Sequence, residues 1–371
     1  MENFFEIIKT NNLSRVGKLQ TKNGAINTPF FMPDATRGFV KLLSKQDLER
    51  INLRPMVVNT YHLYLQPGIE LIKKSQGIHK FMNWDGPLLS DSGGYQIFSL
   101  IHKNPQMGKI TDEKAVFKSP LDGRRHELTP EKSIQIQFDL GVDMMVVLDD
   151  VPPVTYSDKK MKVAIDRTIA WAKRCKIEYE KQIKEREIEE KQRPLLFGVI
   201  QGGKDATLRK YCAEELVKLD FDGYGFGARH VDENGVFMQE MVAETAKMIP
   251  EDKLRFALGV GTPEDIVRFV ACGWDMFDCV IPTREGRHGR LFIRKEGELK
   301  DKDFYTTINI NNQKFNDDFS PVDETCDCEL CRNHSRAYLR HLFVSKDPLG
   351  MRLAAMHNLK FYLDLMNQLK K

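Results

Sequence analysis

The sequence predicts a (β/α)8 barrel of the TIM type. Three observations carry that reading. Eight short apolar runs follow one another along the chain, helix-period segments lie between them, and the rhythm occupies about 250 residues. A doubly wound open sheet is the competing architecture, and eight units over that length favour the barrel. The runs are Phe30–Met32, Met56–Val58, Pro87–Leu89, Met144–Leu148, Leu196–Ile200, Tyr224–Phe226, Phe256–Leu258 and Met276–Phe277.

Ahead of the first run the chain reads as β-hairpins, with Asn23-Gly24 as the turn signal between Lys18–Gln20 and Ala25-Ile26. Ser44 is placed to cap a helix reaching Ile51, and Thr129-Pro130 to start one reaching Leu140. Asp91 to Asp143 is too long for one crossover. Ala115–Lys118, Asp122-Gly123 and Arg124–Leu128 within it predict an inserted hairpin over about residues 109–128. Ile165, Ile169, Ala172, Tyr179 and Ile183 form the apolar stripe of a further helix, and the mixed-charge run Lys181–Lys191 reads as its solvated end. Pro263-Glu264-Asp265 opens a helix through Val270. The expected division is a barrel over 1–295 and a metal-binding, helical, basic subdomain over 296–371 packed on it.

Composition is that of a globular protein: 371 residues, 41% hydrophobic, 29% charged, net charge +3. Disorder, collagen and coiled coil are excluded as global readings. No apolar run is long enough for a membrane helix. Met1–Glu6 shows no basic start before an apolar core, so a signal peptide is not expected and a cytoplasmic location is. From Arg332 to Lys371 eight Lys/Arg face two acids, which fits a polyanionic partner or a solvated helix face equally well.

Three of the seven cysteines crowd together as Cys326-Asp327-Cys328-Glu329-Leu330-Cys331. A C-x-C-x2-C spacing supplies three thiolates, and tetrahedral zinc needs one more ligand. His334, His341 and His357 are the candidates, with His334 strained by its closeness. Such a site is closed, hence structural rather than catalytic.

In a (β/α)8 barrel the active site is built just past the C-terminal ends of the strands. Those positions hold Asn59–His62, Asp91-Ser92-Gly93-Gly94, Asp149-Asp150, Gln201-Gly202-Gly203, Gly259-Val260-Gly261 and Asp278. A lone Asp there is usually a helix cap. Three acidic positions with a Gln and Gly-rich turns point instead to a site. Two carboxylates suit displacement at a sugar anomeric carbon, one attacking and one handling the leaving group's proton. Asp149 and Gln201 suit the edge of a planar base.

Asp91-Ser92-Gly93-Gly94-Tyr95-Gln96-Ile97-Phe98-Ser99-Leu100 resembles the hallmark of tRNA-guanine transglycosylases of the bacterial type. So do Asn59–Leu63, Phe197–Gly203, Gly259–Asp265 and Asp275–Arg284, in family order along essentially the whole chain. The resemblance implies replacement of guanine at the first anticodon position of GUN tRNAs by a 7-deazaguanine. It makes Asp278 the nucleophile at ribose C1′ and Asp91 the general acid/base. It gives the base to Ser92, Gly93, Gly94, Asp149, Gln201 and Ala228, with Tyr95 stacking on it. It gives the tRNA anticodon loop to Gly259, Val260, Gly261, Thr262, Pro263, Glu264 and Asp265, and to Thr283, Arg284, Glu285, Gly286 and Arg287. Arg284, Arg287 and Arg290 suit phosphates and base edges physically. It also selects His357 as the fourth ligand of one structural Zn2+, and implies a homodimer involving Tyr61–Leu63 and the zinc region.

Two departures bear on the incoming base. Gly227-Ala228-Arg229-His230-Val231-Asp232-Glu233 stands where the bacterial pattern has a Gly-Gly-Leu-x-Val-Gly-Glu-like loop. Ala228 is compatible with base binding through the backbone if its φ is negative. Arg229, if turned inward, disfavours the ammonium of prequeuine, while Asp232 and Glu233 offset it. Asp149-Asp150-Val151 is closer to the eukaryotic, queuine-using enzymes. Prequeuine is the first expectation and queuine the second. A non-catalytic paralogue is opposed by the presence of both Asp91 and Asp278, and a DNA-directed relative by Thr283-Arg284 and the cysteine cluster. The archaeal type, with its extra C-terminal domains, is not expected, since the sequence ends soon after His357. A general glycosidase lacks an aromatic sugar platform, since Trp84, Trp171 and Trp274 are scattered. No P-loop or Rossmann fingerprint is present, so no ATP or nicotinamide is expected.

Overall fold

The computed structural model of the protein describes residues 4–153, 155–300 and 302–371. Eight strands form one parallel sheet: β1 Phe30–Pro33, β2 Met56–Asn59, β3 Leu88–Asp91, β4 Met144–Val146, β5 Leu195–Ile200, β6 Gly223–Phe226, β7 Leu254–Ala257 and β8 Met276–Cys279. From β2 to β8 each pairs with its neighbour in sequence, and β8 pairs with β1. A single parallel bridge between Asp34 and Val57 joins β1 to β2 and brings the sheet to near closure. All eight expected runs are therefore barrel strands. They are short and almost wholly buried, because helices cover the outside while side chains fill the inside.

The helices begin where the sequence signals them. Ser44 caps Lys45–Arg50 in a capping box with Asp47, Thr129 caps Pro130–Leu140, and Thr262 caps Pro263–Ala271. Helix Asp158–Glu185 buries the predicted stripe, and the charged run that follows is largely exposed. The inserted segment is a three-stranded antiparallel sheet rather than a hairpin: Gly108–Ile110 joins Ala115–Lys118 and Arg125–Leu128. A three-residue strand opening on glycine leaves no alternation to read.

The N-terminal strands Phe5–Asn11, Ser14–Thr21 and Gly24–Thr28 form an antiparallel sheet under the barrel. Arg15 Nε donates to Asp275 Oδ1 at 2.8 Å, and both side chains are buried just ahead of β8. Asn23 Nδ2 donates to Asp143 Oδ1 at 3.0 Å just ahead of β4. Both anchors lie at the N-terminal ends of barrel strands, leaving the opposite mouth for chemistry.

Past the barrel, Arg290–Arg294 and Tyr305–Asn309 pair as a hairpin, followed by helices Glu329–Asn333, Arg336–Val344 and Pro348–Leu369. Leu291, Ile310, Phe315, Leu330, Leu339 and Leu342 make a small core of their own. The last helix leaves it to pack on the barrel through Leu359, Phe361, Tyr362 and Leu365. It crosses helix Ile281–Arg287 closely. A Cβ on Gly286 would stand 2.8 Å from the Ala354 carbonyl, so only glycine fits.

Candidate active site

The strand register places the acidic groups. Asp278 pairs with Met32, and two residues beyond Met32 is Asp34, which pairs with Val57. Two residues beyond Val57 is Asn59, which pairs with Asp91. Partners in a parallel ladder, and residues two apart on one strand, share a face. Asp278, Asp34, Asn59 and Asp91 therefore share one face across β8, β1, β2 and β3. Asp91 feels the charges of both Asp34 and Asp278, so that face is the inner one, where the strands converge.

Asp91 is held by Asn59, whose Nδ2 donates at 2.5 Å, and by the Gly93 amide at 3.1 Å. Gly93 sits at φ +78, and a Cβ there would meet the Tyr61 amide at 2.9 Å. Burial, then the Asp34 charge, push the Asp91 carboxyl up to about 7. Asp278 accepts the Gly259 amide at Oδ1, 2.8 Å away. Burial and Asp34 raise it to about 7 as well, although the amide acts in the opposite direction.

Across the mouth, Gln201 Nε2 donates to Asp149 Oδ2 at 2.8 Å. Both side chains are buried, and burial lifts Asp149 to about 7. Gln201 Oε1 is buried with no hydrogen-bond partner among the described residues. A buried unpaired acceptor is costly unless a ligand donates to it. Ser92, Gly93 and Gly94 are buried at the start of helix Gly94–Lys103, and Tyr95 is 65% exposed on its first turn. Asp150 turns away to Arg167, 2.5 Å from its Oδ2.

The loop after β6 departs from expectation at Ala228, whose φ is +109 rather than negative. Its Cβ is strained there. Arg229 is exposed. His230 points to Asp265 (3.0 Å) and packs on Phe269. Glu233 pairs with Lys204.

The segments expected to meet RNA divide into two sets. Gly259, Arg284 and Arg290 are exposed, and Arg287 is half-buried, its guanidinium pKa lowered by burial. Val260, Gly261, Pro263, Thr283 and Gly286 are buried, while Thr262 caps its helix. Glu264 accepts the Tyr305 hydroxyl, and Asp265 engages Thr262, His230 and Arg268. Glu285 lies between Arg284 (3.5 Å) and Arg290 (3.7 Å).

Cys326, Cys328, Cys331 and His357 bring their donor atoms within 4.8 Å of one another. His357 Nδ1 faces the Cys328 and Cys331 sulfurs at 3.6 and 3.3 Å, and Nε2 lies 2.7 Å from the Phe292 carbonyl. That carbonyl fixes the tautomer that leaves Nδ1 a ligand. The cluster could hold a metal ion, and three sulfurs with one imidazole fit tetrahedral coordination.

Asp34 is an acidic group of the barrel mouth that does not figure among the strand-end positions named from the sequence. The signal was present, since Pro33-Asp34 directly follows the first apolar run. Asn59 was found by position, but nothing in the sequence shows its bond to Asp91.

The sequence of this chain matches the family profile described as queuine tRNA-ribosyltransferase over residues 10–371. It is 43% identical over 372 aligned residues to the queuine tRNA-ribosyltransferase of Staphylococcus aureus strain bovine RF122 / ET3-1, covering 99% of this chain and 91% of that one. The proteins of that name from strains JH9 and N315 match to the same extent. With its motifs in order around one barrel mouth, the chain belongs to the queuine tRNA-ribosyltransferase family, an enzyme family of the transferase class.

Proposed function

We propose that this enzyme exchanges guanine at the first anticodon position of GUN tRNAs for a 7-deazaguanine by double displacement. The observation that carries the reading is the convergence of Asp278 and Asp91 on one inner face, opposite the Asp149–Gln201 pair with its unpaired acceptor. The Gly259 amide holds one Asp278 oxygen, leaving the other to attack ribose C1′. As that C–O bond forms, the bond from C1′ to guanine breaks, and protonated Asp91 gives its proton to the leaving base. The incoming base then loses a proton to Asp91 and attacks C1′, and the aspartyl ester returns to carboxylate. Asp149 and Gln201 hold the base edge, Ser92, Gly93, Gly94 and Ala228 line it, and Tyr95 stacks on it.

Arg284, Arg287 and the Gly259 turn are the groups we assign to the anticodon loop, since Arg284 and Gly259 are exposed and Arg287 is half-buried beside them. Glu264, Asp265 and Thr283 support that surface from within. Zinc is the ion we assign to the Cys3His cluster, with a supporting role remote from the reacting atoms. The prequeuine reading rests on Arg229 being exposed rather than buried against the base. Queuine is the second reading, favoured by the capture of Glu233 by Lys204, which takes away a carboxylate that would offset Arg229. A homodimer completes the proposal.

The test is base exchange on unmodified GUN tRNA with guanine, prequeuine or queuine, read as nucleoside mass. Incorporation of prequeuine, abolished in Asp278→Asn, is the expected result. Incorporation of queuine alone selects the second reading. No incorporation of any base overturns both and leaves a DNA target or a binding paralogue.

A further inference from the structure

Asp34 directly follows β1, one of the two strands between those that carry the proposed catalytic carboxylates, and no step above uses it. Its register puts it on the inner face between Asp278 and Asp91. The Thr36 hydroxyl donates to Oδ1. Oδ2 accepts no hydrogen bond, and the carboxylate forms no ion pair, among the described residues; its charge is felt by Arg287 and His62. Three carboxylates converge here, no ion pair joins any of them among the described residues, and Asp34 raises the proton affinity of both others. Asp34 is half-buried, and its unpaired oxygen is open to a hydrogen bond from a ligand group.

What the ligand can offer follows from the geometry. Asp278 reaches C1′ and Asp91 reaches the base, so a group lying between them is next to the C1′–base bond. Phosphate is excluded by charge. On a ribonucleotide the donor nearest C1′ is the 2′-hydroxyl, and it is the group that separates RNA from DNA. We propose that Asp34 is a specificity-determining residue that accepts a hydrogen bond from the 2′-hydroxyl of the nucleotide undergoing exchange, selecting RNA over DNA at that one position. The proximity of its charge to C1′ also stabilises the positive charge that develops there, so the interaction strengthens toward the transition state.

The inference rests on Asp278 being the nucleophile, and the experiment separates the two. Anticodon-stem RNAs are prepared with either a ribo- or a 2′-deoxyguanosine at the exchange position, all other sugars being ribose. Guanine exchange and denaturant-stable protein–RNA adduct are measured for wild type, Asp34→Asn and Asp34→Val. Melting curves check that each variant is folded. The wild type is expected to prefer the ribo substrate by roughly 10- to 100-fold in kcat/KM, as for one hydrogen bond to a charged group. Asp34→Val should bring the ratio to within about twofold of unity, with Asp34→Asn between. An unchanged ratio in Asp34→Val, or no preference in the wild type, overturns the role of Asp34 while adduct formation leaves Asp278 standing. Absence of adduct in the wild type removes both.

Discussion

The Tyr362 hydroxyl donates to the Gly261 carbonyl at 2.5 Å. This bond joins the helix that carries His357 to the turn whose Gly259 amide holds Asp278. Asn358, the residue after His357, adds a second tie: its Nδ2 donates to the Pro282 carbonyl at 3.0 Å, four residues past Asp278. The cysteine cluster is thus connected to the proposed nucleophile through one helix and two hydrogen bonds.

Removing a metal ion held by this cluster should therefore act at a distance. Chelation, or His357→Ala, is expected to lower the melting temperature by about 5 °C or more and to weaken tRNA binding together with exchange. Thermal melts and filter binding before and after chelation measure this, and readdition of zinc should restore both. A chelated sample with unchanged melting and unchanged binding would sink the connection.

Replacing Asp278 by Asn should abolish adduct and cut exchange by at least about 10⁴-fold, with tRNA still bound. Trapped adduct after denaturing electrophoresis is the readout. Full activity in this variant would move the nucleophile elsewhere.

The pH profile should be a narrow bell. In the proposed reaction Asp278 must be ionised to attack, so rate falls as pH drops through its value near 7. Asp91 must carry a proton for the leaving base, so rate falls as pH rises through its own value near 7. The two flanks belong to the pair, since each group feels its surroundings change with the other. Asp34→Asn removes a charge that raises both, and should shift the bell to lower pH.

Stability should show the opposite face of the same shifts. Asp91 and Asp149 bind protons more tightly folded than unfolded, so their stabilising contribution is complete below about pH 4 and is lost as pH rises through about 7. Asp149→Asn is expected to melt higher than wild type at pH 8, by on the order of 2 kcal/mol, and equally at pH 4. Parallel melts at the two pH values decide it, and equal melting at both would mean that the carboxyl is not strained.

Ala228→Gly should raise stability by about 0.5–1 kcal/mol, because φ +109 strains an alanine and not a glycine. Denaturant midpoints at constant slope give the value. A fall in stability would mean that the alanine methyl makes a contact worth more than the strain.

The eight strands were readable because each is a compact apolar run followed by a polar or glycine mouth. The short helices Thr60–Leu65, Ile69–Lys74 and Ile78–Met82 were not, since five or six residues hold too little periodicity. Hairpin Arg290–Arg294 with Tyr305–Asn309 was hidden by the ten charge-rich and turn-forming residues between its arms. In the candidate site, the placing of Asp91 and Asp278 at strand ends on one mouth was legible by position. The buried roles of Glu264 and Asp265 were not, because their partners Tyr305 and His230 lie 41 and 35 residues away in the chain.

Phe31 pairs with Phe277, and Arg15 with Asp275, so the two ends of the barrel chain meet only when some 246 residues have been made (277 − 31 = 246). At a ribosomal pace of about 5–20 residues per second, β1 waits on the order of 10 to 50 seconds for its partner. Throughout that time Phe30, Phe31 and Met32 have no β8 to cover them. The nascent protein is an unclosed ring, and its first strand is an apolar edge that a cell's chaperones have time to meet.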